Sequence, residues 1–265
     1  MNRRDIVLAA LMVTVFVACA SAGELIYGFA PGTAYVVDPY TGVATPVGSA
    51  PFVVGASSGP TVGSVFLFSG INLYLDNVLT GTSQPLGGLV ETRWDLAFDP
   101  SAGALYGVGA GIYSIDGCLD FCSETLIGSF PGVVQAIDYV PGYGLFGADL
   151  DGILWRFNPS NGDLEFVGIT GISNISDMAF DYSSRQLIAS AAGPKLCGDN
   201  CPPFGSIWSI DPNNGSSVLL NDNAPIIWGM AEVTPEPASI AMMVSGLSVM
   251  ATVARVRRRA RKRGL

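Results

Sequence analysis

No histidine occurs anywhere in the 265 residues. Its absence removes Ser-His-Asp and Cys-His nucleophile systems and every metal site built on imidazole. Charge is scarce as well: 13% of residues are charged, against 49% hydrophobic. Disorder requires the opposite balance. Positive charge is scarcest over residues 23–233, which hold 4 basic and 20 acidic residues, a net −16. A surface so poor in Lys and Arg repels phosphate backbones and anionic lipid, which excludes nucleic acid as a partner. There is no glycine loop with a lysine to cradle phosphate, and no EF-hand-type loop to hold calcium. No cofactor is expected.

What is abundant is glycine and proline, 33 and 17 residues, with aromatics at 10%. That mixture suggests many short strands joined by tight turns. The length suits one large domain or two small ones.

The two ends read as addresses. "MNRRDIVLAALMVTVFVACASAG" has a basic start, an apolar stretch from Ile6 to Ala18, and Ala20-Ser21-Ala22. This is the pattern of a secretory signal peptide over residues 1–22, cut by signal peptidase before Gly23. "FVAC", ending at Cys19, loosely resembles a bacterial lipobox, with Phe16 a poor residue for that role. At the other end, Ala238–Ala254 is 17 residues without a charge. A helix rising about 1.5 Å per residue reaches the short limit for a bilayer core at that length. Seven positive charges follow between Arg255 and Arg263. The positive-inside rule keeps them cytoplasmic and leaves everything upstream outside.

Pro235-Glu236-Pro237, directly before that apolar run and the terminal arginines, resembles the PEP-CTERM sorting signal of exported bacterial proteins. The resemblance covers residues 234–265. It implies recognition and processing by an exosortase-type enzyme, transient membrane anchoring through the helix, and delivery to the cell surface or matrix. It implies no activity for the rest. The prolines keep the motif extended and free of helix.

Residues 23–233 repeat. "AYVVDPYTG", "LYLDNVLTG", "IYSIDGCLD", "LWRFNPSNG" and "IWSIDPNNG" each alternate apolar and polar residues, then break at a turn. The expected turn residues are Asp38, Asp76, Asp116, Asn158 and Asp211, spaced 38, 40, 42 and 53 apart. "LIYG", "VFLF", "LYGV", "LFGA" and "LIAS" precede them, and "VGAS", "DLAFD", "VQAID", "DMAFD" and "GMAEV" keep the same beat, centred on Ala56, Ala97, Ala136, Ala179 and Ala231. Four short strands per unit is the pattern of a β-propeller blade. The expected fold is all-β: one propeller of five four-stranded blades, with a six-bladed ring carrying a degenerate unit as the alternative. The domain opens on a second strand at Leu25 and ends on an isolated first strand, Gly229–Val233. Pairing these two closes the ring and removes its edges. The recurring aromatic, Tyr35, Tyr74, Tyr113, Trp155 and Trp208, reads as packing between blades rather than a ligand-stacking set.

Cys118, Cys122, Cys197 and Cys201 form two C-x-x-x-C pairs. Four thiolates suggest zinc. Secretion favours local Cys118–Cys122 and Cys197–Cys201 disulfides instead, and the two loop types that carry the pairs leave a propeller on opposite faces.

Carboxylates are the remaining source of chemistry. Asp99, Asp138 and Asp181 recur before turns and read as turn residues. Asp95 and Asp177 share one repeat position at the start of the innermost strand, facing the central channel. Such a pair serves glycoside hydrolysis when its carboxyls lie roughly 5–9.5 Å apart. Trp94 and Trp228 precede their respective repeats by one residue and would form a sugar-stacking platform. The plainer reading has both aspartates bonding backbone at strand ends. Two functions follow: an exported, non-enzymatic binding or structural module with an extracellular polysaccharide as candidate ligand, or a secreted carbohydrate-active hydrolase. The first has more behind it, because no catalytic set is complete.

Overall fold

The computed structural model describes residues 25–118, 121–192 and 204–233. The signal segment, the Pro-Glu-Pro tail with its expected helix, and Cys197 and Cys201 lie outside those residues.

Twenty strands form five four-stranded antiparallel sheets. The chain starts with β1 (Leu25–Ala30), β2 (Thr33–Val37) and β3 (Ala44–Gly48). The second blade is β4 (Gly55–Ser58), β5 (Ser64–Ser69), β6 (Asn72–Asn77) and β7 (Thr82–Gly88). The third is β8 (Asp95–Asp99), β9 (Ala104–Val108), β10 (Ile112–Asp116) and β11 (Ser123–Gly128). The fourth is β12 (Val134–Val140), β13 (Gly144–Asp149), β14 (Ile153–Phe157) and β15 (Leu164–Ile169). The fifth is β16 (Ile175–Asp181), β17 (Gln186–Ala192), β18 (Phe204–Ile210) and β19 (Ser217–Pro225), leaving β20 (Gly229–Val233). As expected, β20 joins the first blade by pairing antiparallel with β1, from Leu25↔Val233 to Phe29↔Gly229. The inner strands β4, β8, β12, β16 and β20 pack each on the next, and β20 packs on β4. The ring has five blades.

Five apolar clusters occupy the five seams between neighbouring blades. The recurring aromatic is half-buried. Tyr74, Trp155 and Trp208 pack against these seams, which is the packing role expected of them.

The turns after the third strands show why the phrase repeats. Asp38, Asn158 and Asp211 each accept, on Oδ1, the amide two residues on, at 2.8, 3.0 and 2.9 Å. Glycine closes each turn in the left-handed region: Gly42, Gly162 and Gly215 have φ of 68°, 78° and 73°. Each donates its N–H to the carbonyl of the opening Asx at 2.8 Å. In the second blade the opening residue is Asn77, not Asp76. Asn77 Oδ1 accepts from Leu79 and Thr80, whereas Asp76 is still in strand and accepts from Ser83. The third blade replaces this turn with a loop closed by the Cys118–Cys122 disulfide.

Cross-strand register also corrects two inner-strand alignments. Leu96, Ile137 and Met178 face Gly107, Gly147 and Ala189, which makes them equivalent. Ala136 therefore stands where Asp95 and Asp177 stand, and Asp138 stands where Ala97 and Ala179 stand. In the second blade Ala56 faces Leu67, so Ser57, not Ala56, matches Ala97. Asp99 and Asp181 are turn residues, bonding Ser101 and Ser183. Asp138 is not: it accepts the Phe180 N–H from the next blade at 2.5 Å.

Candidate functional site

The corrected register places Gly55, Asp95, Ala136, Asp177 and Gly229 at one level around the axis. Three of the five are the smallest residues available, and this leaves room for the two carboxyls between them. Gly55 shows the tightness: a Cβ there would lie 2.7 Å from Asp95 Cα and 2.9 Å from its Oδ1. Asp95 and Asp177 are both 0% exposed.

Asp95 accepts two backbone amides at 2.8 Å, Leu96 on Oδ1 and Ile137 of the next blade on Oδ2. Asp177 is different. The Met230 amide favours its charged form, yet neither Asp177 oxygen completes a well-formed hydrogen bond. Burial raises the pKa of both groups, and the Asp95 charge raises that of Asp177 further. Asp95, with two amide donors, is the better anion. Two carboxyls in one dry site disfavour each other's ionisation, and the burden falls harder on Asp177, which has the weaker donors. Asp138, two residues further along β12, is also raised, to about 7, because burial outweighs the amide bonds from Phe180 and Tyr139.

The residues immediately before that level form the mouth of the channel. Val54, Trp94, Gln135, Ser176 and Trp228, one from each blade, line a cavity of about 490 Å³. Asn174, Ala192 and Ile226 complete its wall. None of these side chains is charged. The sequence had marked Trp94 and Trp228, and they do meet in this cavity. It had not marked Gln135, because the misaligned "VQAID" hid its equivalence to them.

The frame around the mouth is built rather than incidental. Ser176 Oγ donates to the carbonyls of Ile227 and Ser190 at 2.7 and 3.0 Å, and Ser190 Oγ accepts from Ile227 N at 3.3 Å. Trp228 N donates to Phe29 O at 2.8 Å, and its ring meets Phe52 edge-on at 5.6 Å. On the opposite side, Trp94 N donates to Val108 O at 2.7 Å. The residue before it, Arg93, is 2% exposed, pairs with Glu124 and stacks 3.7 Å over the Tyr113 ring.

Chemically, the carboxyl pair lies below the mouth, out of contact with solvent, one member held by two backbone amides. Among the described residues, no group of three or more His, Cys, Asp or Glu side chains is placed to hold a metal ion. Cys118 and Cys122 are joined, with Cα atoms 4.0 Å apart. No described helix is long and apolar enough to cross a membrane.

The architecture defines a five-bladed β-propeller. No family model and no curated protein matches the chain. Among solved structures, it resembles a chain from the crystal structure of a nidogen/laminin complex, with a TM-score of 0.55 and 11% identity over 80% of this chain and 99% of that one. TolB from Acinetobacter baumannii is similar with a TM-score of 0.50 and 13% identity, over 77% of this chain and 54% of that one. At these identities the likeness is one of fold.

Proposed function

We propose that this is an exported bacterial surface or matrix protein, sorted through its Pro235-Glu236-Pro237 tail by an exosortase-type enzyme, whose propeller is a non-catalytic binding module working through the channel mouth. One observation carries the binding half: each blade supplies one side chain to a single uncharged cavity, while the axial carboxyl pair is sealed beneath it. A hydrolytic use of Asp95 and Asp177 is disfavoured by the same geometry. A glycosidase needs its two carboxyls apart, exposed to substrate and water, and here they are buried against each other. The Cys118–Cys122 disulfide supports an oxidising destination, consistent with export. The nidogen/laminin and TolB chains share the fold alone.

Deleting the chain from Pro235 onward tests the sorting. The full chain is expected in surface fractions and the truncated one in soluble secreted fractions, followed by immunoblot after signal-peptide cleavage. Unchanged surface retention of the truncated chain overturns it.

A further inference from the structure

We infer that the channel mouth binds a neutral glycan; this rests on the binding-module reading above. Three features of the wall select that ligand class. The first is charge. Among the described residues, which include 17 acidic and 3 basic ones, none of either sign lies in the cavity wall. An anionic ligand entering would lose water with no cation in the described wall to replace it. It would also meet the field of the whole domain.

The second feature is the pairing of indoles with free amides. Trp94 and Trp228 offer apolar faces suited to the C–H face of a sugar ring. The Gln135 and Asn174 side chains make no hydrogen bond within the described residues, which leaves their carbonyl and NH₂ groups for hydroxyls. A primary amide both donates and accepts, as a hydroxyl does, so the two groups match without net charge. The third is preorganisation. Ser176 and Ser190 tie the Trp228 segment to the fifth blade, and the buried, ion-paired Arg93 holds the backbone directly before Trp94. A rigid wall spares the ordering cost of binding. The volume of about 490 Å³ is that of a small-molecule cleft.

The test uses the full chain, purified in a zwitterionic detergent that carries no sugar, and follows tryptophan fluorescence and titration calorimetry. The probes are short neutral gluco-, manno- and galacto-oligosaccharides, uronic-acid oligomers of matched length, and tetramethylammonium as a cation that stacks on indoles. At least one neutral series is expected to bind, with the matched uronic oligomer about tenfold or more weaker. Trp228→Ala is expected to reduce the fluorescence response, leaving the part that Trp94 reports, and to weaken binding about tenfold or more. Gln135→Ala, at a half-buried position with no internal bonds, is the second variant, with a severalfold loss expected and an unchanged unfolding midpoint. Equal binding of the uronic oligomer, or neutral-glycan binding indifferent to both variants, overturns the inference. If tetramethylammonium alone binds and needs Trp228, the glycan class is wrong and the binding module survives. If no probe perturbs the mouth, the glycan inference and the mouth as binding site fall together, whatever the sorting experiment shows.

Discussion

Asp138→Asn separates the cost of a buried carboxylate from the hydrogen bond it makes. Asp138 is buried, accepts from Phe180 N across a blade seam, and has its pKa lifted by burial from 3.8 to about 7. The other carboxyls that sense it are Asp95 and Asp177, and no cation contributes to its shift. Between those two pH values the folded protein keeps the Asp138 proton while the unfolded chain releases it. The native state then binds more protons, so stability falls as pH rises through the interval. At about 1.4 kcal/mol per pH unit, the interval is worth about 4 kcal/mol. Asparagine keeps a carbonyl to accept the Phe180 N–H and never ionises. Urea unfolding of both proteins from about pH 3 to about pH 8 should show the stability of wild type falling by about 4 kcal/mol relative to Asp138→Asn. Asp95 and Asp177 are present in both proteins, so their own titration largely cancels in that difference. A difference that stays constant across the range refutes the reasoning. So does one that moves in favour of wild type as pH rises.

Two further outcomes test the frame. Glu124→Gln leaves the buried Arg93 with only the exposed Glu91 carboxylate, 3.6 Å away, and should cost about 3 kcal/mol by urea unfolding; adding Arg93→Met should recover part of that loss. Gly162 sits at φ 78° with open space around the position a Cβ would take, so Gly162→Ala meets strain but no clash and should cost about 1 kcal/mol, measured as a lower unfolding midpoint.

The blades were legible because four of the five carry the same physical device after their third strand, an Asx residue and a left-handed glycine bracketing a reversal of the chain. Where two residues could fill the opening role, as in Asp76-Asn77, sequence pattern alone chose wrongly by one position. The slide at "VQAID" had a subtler cause. β12 runs to Val140 and shifts register between Val134 and Ala136. A two-residue offset keeps every side chain on its original face, so the apolar alternation gives no sign of it. That offset moved Asp138 from a turn to a seam and concealed Gln135 from the mouth. Asp95, Asp177, Trp94 and Trp228 stood out because Asp recurs at one repeat position in the third and fifth blades, and Trp at the position before it in the third and first. Their closeness across the axis was not legible, since it depends on Gly55, Ala136 and Gly229 yielding space, and small residues leave no mark in a hydrophobicity pattern. Arg93 was missed for the opposite reason: a lone charge in a connecting segment reads as solvated, and only the fold supplies Glu124 and Tyr113.

The bond between β1 and β20 sets the order of assembly. The partner of the leading strand is the last described strand to leave the ribosome, more than two hundred residues later. Until it arrives, β1 keeps an unpaired ladder of amides and carbonyls open to any passing strand, and one seam of the core lacks its lining. Folding that waits on such a distant contact is slow, and the nascent chain is vulnerable to aggregation for the whole of that wait.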